Sequence, residues 1–228
     1  MTLGARQFRA LLLKDLRLEL RTRQTAIAMI LFAVVAMMAF QFGFGFRVDD
    51  TTPLAGGILW ATLALTAVLG VGRSFVPERE QRVLDGLLLA PVSRSLLLAA
   101  RAASVFAYML VVEVITVPLV TVFFVQDPAA TDFALIALVC VTANLGIAIL
   151  GSLLAAMAVF TRARELLLPV LFLPALLPVI IASAGATHAV LGVSDDMPEY
   201  NGYILFLLVY AVIFALVAYA TYDYVFDD

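Results

Sequence analysis

Little in this 228-residue chain can do chemistry by itself. It holds one cysteine, Cys140, one histidine, His188, and one lysine, Lys14. A lone cysteine cannot close an intramolecular disulfide, and it says nothing about redox compartment. There is no His/Cys cluster to hold a metal. No GxxxxGK[ST] loop occurs, and Lys14 stands in no glycine-rich context. The chain is therefore expected not to bind and hydrolyse ATP through a P-loop of its own. No nucleophile–base–acid arrangement is present, so it is expected to be non-catalytic. No basic patch interleaves with aromatics, which argues against a nucleic-acid partner. Charge is scarce too: 14% of residues are charged, against about 25% in an average soluble domain.

What fills the space is apolar. Hydrophobic residues make up 64% of the chain, where a soluble globular chain has about 45–50%. A helix needs about 20 mainly apolar residues to cross the hydrocarbon core. Six runs qualify: 26–46, 54–76, 102–124, 133–160, 166–191 and 203–225. Lipid offers no hydrogen-bond partners to the backbone, so each run is expected to be helix and not strand. The fold class is all-α integral membrane, one transmembrane domain over residues 1–228. The first run is too long for a signal-peptide core, and no small-x-small cleavage site follows it, so it is read as retained.

The basic residues orient these spans. Arg6, Arg9, Lys14, Arg17, Arg21 and Arg23 precede the first span. Arg73, Arg79, Arg82, Arg94 and Arg101 lie between the second and third, and Arg162 and Arg164 between the fourth and fifth. In a six-span arrangement 13 of the 14 basic residues fall on one side, Arg47 being the exception. The opposite loops carry Asp49, Asp50, Asp127, Asp132, Asp195, Asp196 and Glu199. The positive-inside rule makes the basic side cytoplasmic, with both termini there. A five-span arrangement, which would export the acidic tail, stays open.

Four regions stand out. Residues 6–23 form an amphipathic pattern, with Phe8, Leu11, Leu12, Leu16 and Leu20 on one face and Arg9, Lys14, Asp15, Arg17 and Arg21 on the rest. This suits an interfacial helix on anionic lipid, or a soluble helix packed on a partner. Residues 77–91 begin with Pro77 and crowd Glu78, Arg79, Glu80, Arg82 and Asp85 together before Gly86 and a leucine run. Glu78 and Arg82 have the favourable i,i+4 order. The segment reads as a short helix along the membrane whose charged side faces a cytosolic partner, or as a solvated loop. Glu113 sits mid-span, where a charge costs about 2.5–3.5 kcal/mol on insertion scales. Thr116, Thr121, Thr142 and Asn144 are its candidate partners. Burial without a cation favours the neutral acid. A substrate pathway, a subunit contact and a structural interhelical hydrogen bond are all open to it. Finally, Pro169, Pro174 and Pro178 punctuate the fifth span as kink candidates, either moving or fixed. His188, near that span's outer end, is either a haem ligand or a plain polar residue.

The stretches GRSFVPEREQRVLDGLLLAPVSRS from Gly72, VEVITVPL around Glu113 and TRARELLLPVLFLPALLPVIIAS from Thr161 occur in order along the chain. Together with the basic N-terminal helix they resemble the membrane subunits of ABC-type exporters, and most specifically the CcmB family, heme exporter protein B. The resemblance runs from about Phe8 to Val217. Asn144 departs from it, standing where small residues are common. The resemblance implies a permease subunit in cytochrome c maturation, in the bacterial inner membrane. It implies a CcmA-type ATP-binding cassette partner docked under residues 77–91, and CcmC-type and CcmD-type membrane partners; a self-dimer is open. ATP would be bound by the partner subunit, and haem would be associated with the complex and not bound as a cofactor of this chain. ATP hydrolysis would release a haem-loaded periplasmic chaperone. The alternatives are an ABC-2-type permease for lipid, drug or glycan, and a proton-coupled carrier using Glu113.

Overall fold

The computed structural model describes residues 3–45, 48–73, 94–127, 132–158, 164–193 and 200–225. Among these it is all helical: α1 Leu3–Thr22, α2 Gln24–Phe40, α3 Thr52–Arg73, α4 Arg94–Phe124, α5 Phe133–Ala158, α6 Arg164–Val190 and α7 Tyr200–Val225. Six of them, α2 to α7, are long and apolar enough to cross a membrane. The protein is an integral membrane protein of the multi-pass helical kind.

Local chemistry sets several helix ends. Between α1 and α2 the chain turns at Arg23, in the left-handed region at φ 55°. The Arg23 N–H donates to the Glu19 carbonyl, which is the single-bond αL ending of a helix. Glu19 Oε1 then accepts from the Ala26 N–H at 2.8 Å, satisfying a donor in the first turn of α2. Asp132 caps α5, accepting from the N–H groups of Ala134 and Leu135 at 3.0 and 3.2 Å, as an N-cap carboxylate does. Gly192, at φ 65°, ends α6. Val193 N–H reaches the His188 carbonyl and Gly192 N–H the Ala189 carbonyl, the two bonds of a Schellman motif.

The spans alternate in direction. At the end of the bundle away from α1, Thr51 Oγ1 donates to the Phe124 carbonyl, Gln126 Nε2 to the Asp49 carbonyl, and Tyr200 Oη to the Leu135 carbonyl. These bonds tie the start of α3 to the end of α4, and the start of α7 to the start of α5. The second and fourth spans, α3 and α5, are enclosed, while α2 and α7 are peripheral: 67% of the α3 window is buried against 17% for each outer helix. Small residues let the central helices approach. At Gly151 of α5, a Cβ would lie 2.5 Å from Val71 Cγ2 of α3 and 3.2 Å from Phe172 Cζ of α6. Three helices meet there because one has no side chain.

One expectation needs correction. Asp15 does not share the polar face of the N-terminal helix with the arginines. It is buried, 5% exposed, because the face containing Leu11, Leu12, Asp15 and Leu16 packs on α4. The helix is thus held by its own chain, with Arg6, Arg9, Arg17 and Arg21 outward. The helix of the third span extends beyond the apolar run that begins at Ala102: it starts at Arg94, so Leu96 to Leu98 belong to its first turns.

Candidate functional site

Glu113, near the middle of α4, is 4% exposed. Asn144 on α5 supplies its partner, the Nδ2 amide donating to Glu113 Oε2 at 2.7 Å. Of the other polar residues singled out beside it, Thr121 and Thr142 bond to carbonyls of their own helices at 2.9 and 2.8 Å. Thr116 Oγ1 has no partner. The Cys140 thiol, one turn from Asn144, also faces the carboxyl. Among the described residues no cation takes part. The midplane acid is therefore held by a neutral amide, with a neutral thiol nearby.

A second polar centre lies toward the α1 end of the same helix, and sequence reasoning missed it. Arg101 Nη1 lies 3.1 Å from Asp15 Oδ2, with side chains 7% and 5% exposed. Ser104 Oγ donates to the same oxygen at 3.2 Å, and Lys14 Nζ stands 3.3 Å from Oδ1. One carboxylate thus joins the amphipathic helix to the third span through a charge-assisted bond. The signal was present: Asp15 follows Leu11 by four residues on the apolar face, and Arg101 interrupts an Ala/Leu run.

At the opposite end, Trp60 Nε1 donates to Thr187 Oγ1 at 2.9 Å, and Thr187 donates in turn to the Ser183 carbonyl. The first of these bonds stitches α3 to α6. The next residue, His188, packs against Gly56: a Cβ there would come within 2.8 Å of Nε2. That nitrogen is buried without a partner, and the ring also faces the Pro53 carbonyl. A cavity of about 290 Å³ beside it is lined by Asp50, Thr52, Gln126, Asp127 and Gly192, among others.

Pro169, Pro174 and Pro178 all lie inside α6, which runs unbroken from Arg164 to Val190. Tyr210 Oη of α7 donates to the Ala175 carbonyl at 2.6 Å, in the turn between the last two prolines, where neighbours commonly satisfy backbone groups that a proline disturbs. A groove of about 450 Å³ opens between α4, α5 and α7, lined by Ala99, Ala103, Phe106, Ala148, Ser152 and neighbours. The segment expected to dock a partner, with Glu78, Arg79, Glu80, Arg82, Asp85 and Gly86, lies outside the described residues.

Six apolar helices, an amphipathic helix clamped to the third of them and a midplane acid define a polytopic helical membrane protein. Residues 6–224 match the family model described as CcmB protein. The chain is 30% identical over 176 residues to Heme exporter protein B of Rhodobacter capsulatus, covering 77% of this chain and 80% of that protein. It is 29% identical over 185 residues to Heme exporter protein B of Bradyrhizobium diazoefficiens, covering 80% and 81%. With Heme exporter protein B of Paracoccus denitrificans the identity is 30% over 193 residues, covering 83% and 86%. The chain belongs to the CcmB family.

Proposed function

We propose that this chain is the membrane subunit of a heme exporter complex acting in cytochrome c maturation. It would sit in the bacterial inner membrane with both termini in the cytoplasm. It would be driven by ATP hydrolysis on a separate CcmA-type subunit, with CcmC-type and CcmD-type proteins as further partners. The cargo side of the cycle would be haem, either moved or released with a periplasmic chaperone. Membership of the CcmB family, joined to the names of its relatives, carries this reading.

The helices supply a mechanical argument for the ATP coupling. The segment proposed to dock the ATPase, 77–91, ends just before Arg94, the first residue of α4. That helix has 31 residues, with Pro118 inside its C-terminal part, about 46 Å at 1.5 Å per residue, the full thickness of a bilayer with its headgroups. A displacement at its start would pass along the proline-free stretch from Arg94 to Glu113. The Asp15–Arg101 bond would carry the same displacement into α1. Charge reversal of Glu78 or Arg82 is expected to weaken co-purification with the ATPase at least tenfold. Undiminished recovery of the ATPase with both variants contradicts the docking assignment. A second reading, the same machinery with an apolar cargo such as lipid, is favoured by the small-residue groove between α4, α5 and α7.

A further inference from the structure

The contact between Glu113 and Asn144 leaves a pattern of unmet hydrogen bonds that one proton would complete. The Asn144 amide donates to Glu113 Oε2. The remaining atom of each group, Glu113 Oε1 and Asn144 Oδ1, is buried without any partner. Both are acceptors when the carboxyl is ionised, and two acceptors cannot satisfy each other. Buried polar atoms are otherwise paired almost without exception. A carboxylic acid carries one O–H donor beside its remaining acceptor capacity, so it matches a primary amide bond for bond.

We propose that Glu113 is held as the neutral acid, its O–H on Oε1 donating to Asn144 Oδ1, so that acid and amide close a two-bond ring between α4 and α5. The membrane centre then holds a binding site for one proton, and not a fixed charge. The surroundings are consistent. The helices packed on α4 are α1, α2, α3, α5 and α7. α2 has no ionisable side chain, and α3 has none between Thr52 and Gly72. α7 offers only tyrosines from Tyr200 to Thr221, and the described groups acting on the carboxyl are Asn144 and Cys140, both on α5. The charges of α1, with Arg101, lie at the end of α4, and Arg101 is about 18 Å along the helix from Glu113.

The ring makes the α4–α5 seam a proton-linked latch. While closed, the seam needs its proton to satisfy both oxygens. If the helices part and water enters, the acid ionises and the proton leaves to water.

Infrared spectroscopy tests this on the full chain, reconstituted in lipid vesicles with the subunits that co-purify, at neutral pH. The wild type is expected to show the C=O stretching band of a protonated carboxyl, shifted in D2O. The band should be absent in Glu113→Gln. That variant should still fold, because the Gln amide places a donor where the acid O–H lies. In Asn144→Leu the band should move to higher frequency as the acid loses its hydrogen bonds. A wild-type spectrum with no such band, a band that survives in Glu113→Gln, or one that stays in place in Asn144→Leu overturns the proposal. The wild-type measurement stands even if a variant fails to accumulate.

Discussion

Asp15→Ala is expected to destabilise the folded chain by about 3 kcal/mol, the low end of the about 3–5 kcal/mol typical for breaking a buried ion pair. The reason is what the substitution leaves behind. Arg101 and Asp15 are both nearly out of water, and the carboxylate also accepts from Ser104. Removing it leaves a desolvated guanidinium without the carboxylate that offsets its lost hydration. Arg101 has other contacts, which places the cost at the low end. Asp15→Asn keeps an acceptor for Ser104 but loses the charge, and should fall between wild type and alanine. The exchange Asp15→Arg with Arg101→Asp should recover part of the loss. Arg17→Ala, on the outward face of the same helix, should stay within about 0.5 kcal/mol. Unfolding of the purified protein in detergent reads all four. A full-stability Asp15→Ala variant would mean that α1 is held by its leucines alone.

Gly151→Leu should be as damaging. A Cβ at this position already meets Val71 at 2.5 Å and Phe172 at 3.2 Å. Val71 is β-branched, stiff at χ1 and fully buried, so it cannot swing aside. Overpacking commonly costs about 1–3 kcal/mol, and a leucine adds three further carbons where three helices converge. The expected outcome is loss of the monodisperse peak in size-exclusion chromatography. Gly151→Ala should be milder. Gly57→Ala, whose Cβ meets nothing within 4 Å, should be neutral or slightly stabilising, because alanine is the better helix former. Equal behaviour of Gly151→Leu and Gly57→Ala would show that the α3–α5–α6 contact is looser than the distances require.

The spans were legible in the sequence because the bilayer imposes a length and a composition that few other environments demand. What was harder to read follows from geometry that a linear pattern does not carry. Glu113 announced itself as a mid-span acid, but its rotation about the helix axis was not fixed by any residue near it. Four polar side chains were equally placed as partners until packing turned Asn144 toward it. Asp15 was harder still. An acid among arginines reads as part of a solvated face, and the cation that removes it from water lies 86 residues on, in another helix. The start of α4 at Arg94 lies outside the apolar run, because a helix that continues beyond the hydrocarbon core loses its apolar signature before it loses its hydrogen bonds. For His188 the sequence offered only an isolated imidazole. Gly56, more than a hundred residues away, is what leaves room for the ring.

Haem staining of c-type cytochromes in a strain lacking this chain is the most direct test of its role as the membrane subunit of a cytochrome c maturation complex. The expected result is loss of the covalently haem-stained bands, restored by the wild-type chain supplied in trans. Normal haem-stained cytochromes in the deletion strain would contradict the role and leave the apolar-cargo permease as the reading to pursue.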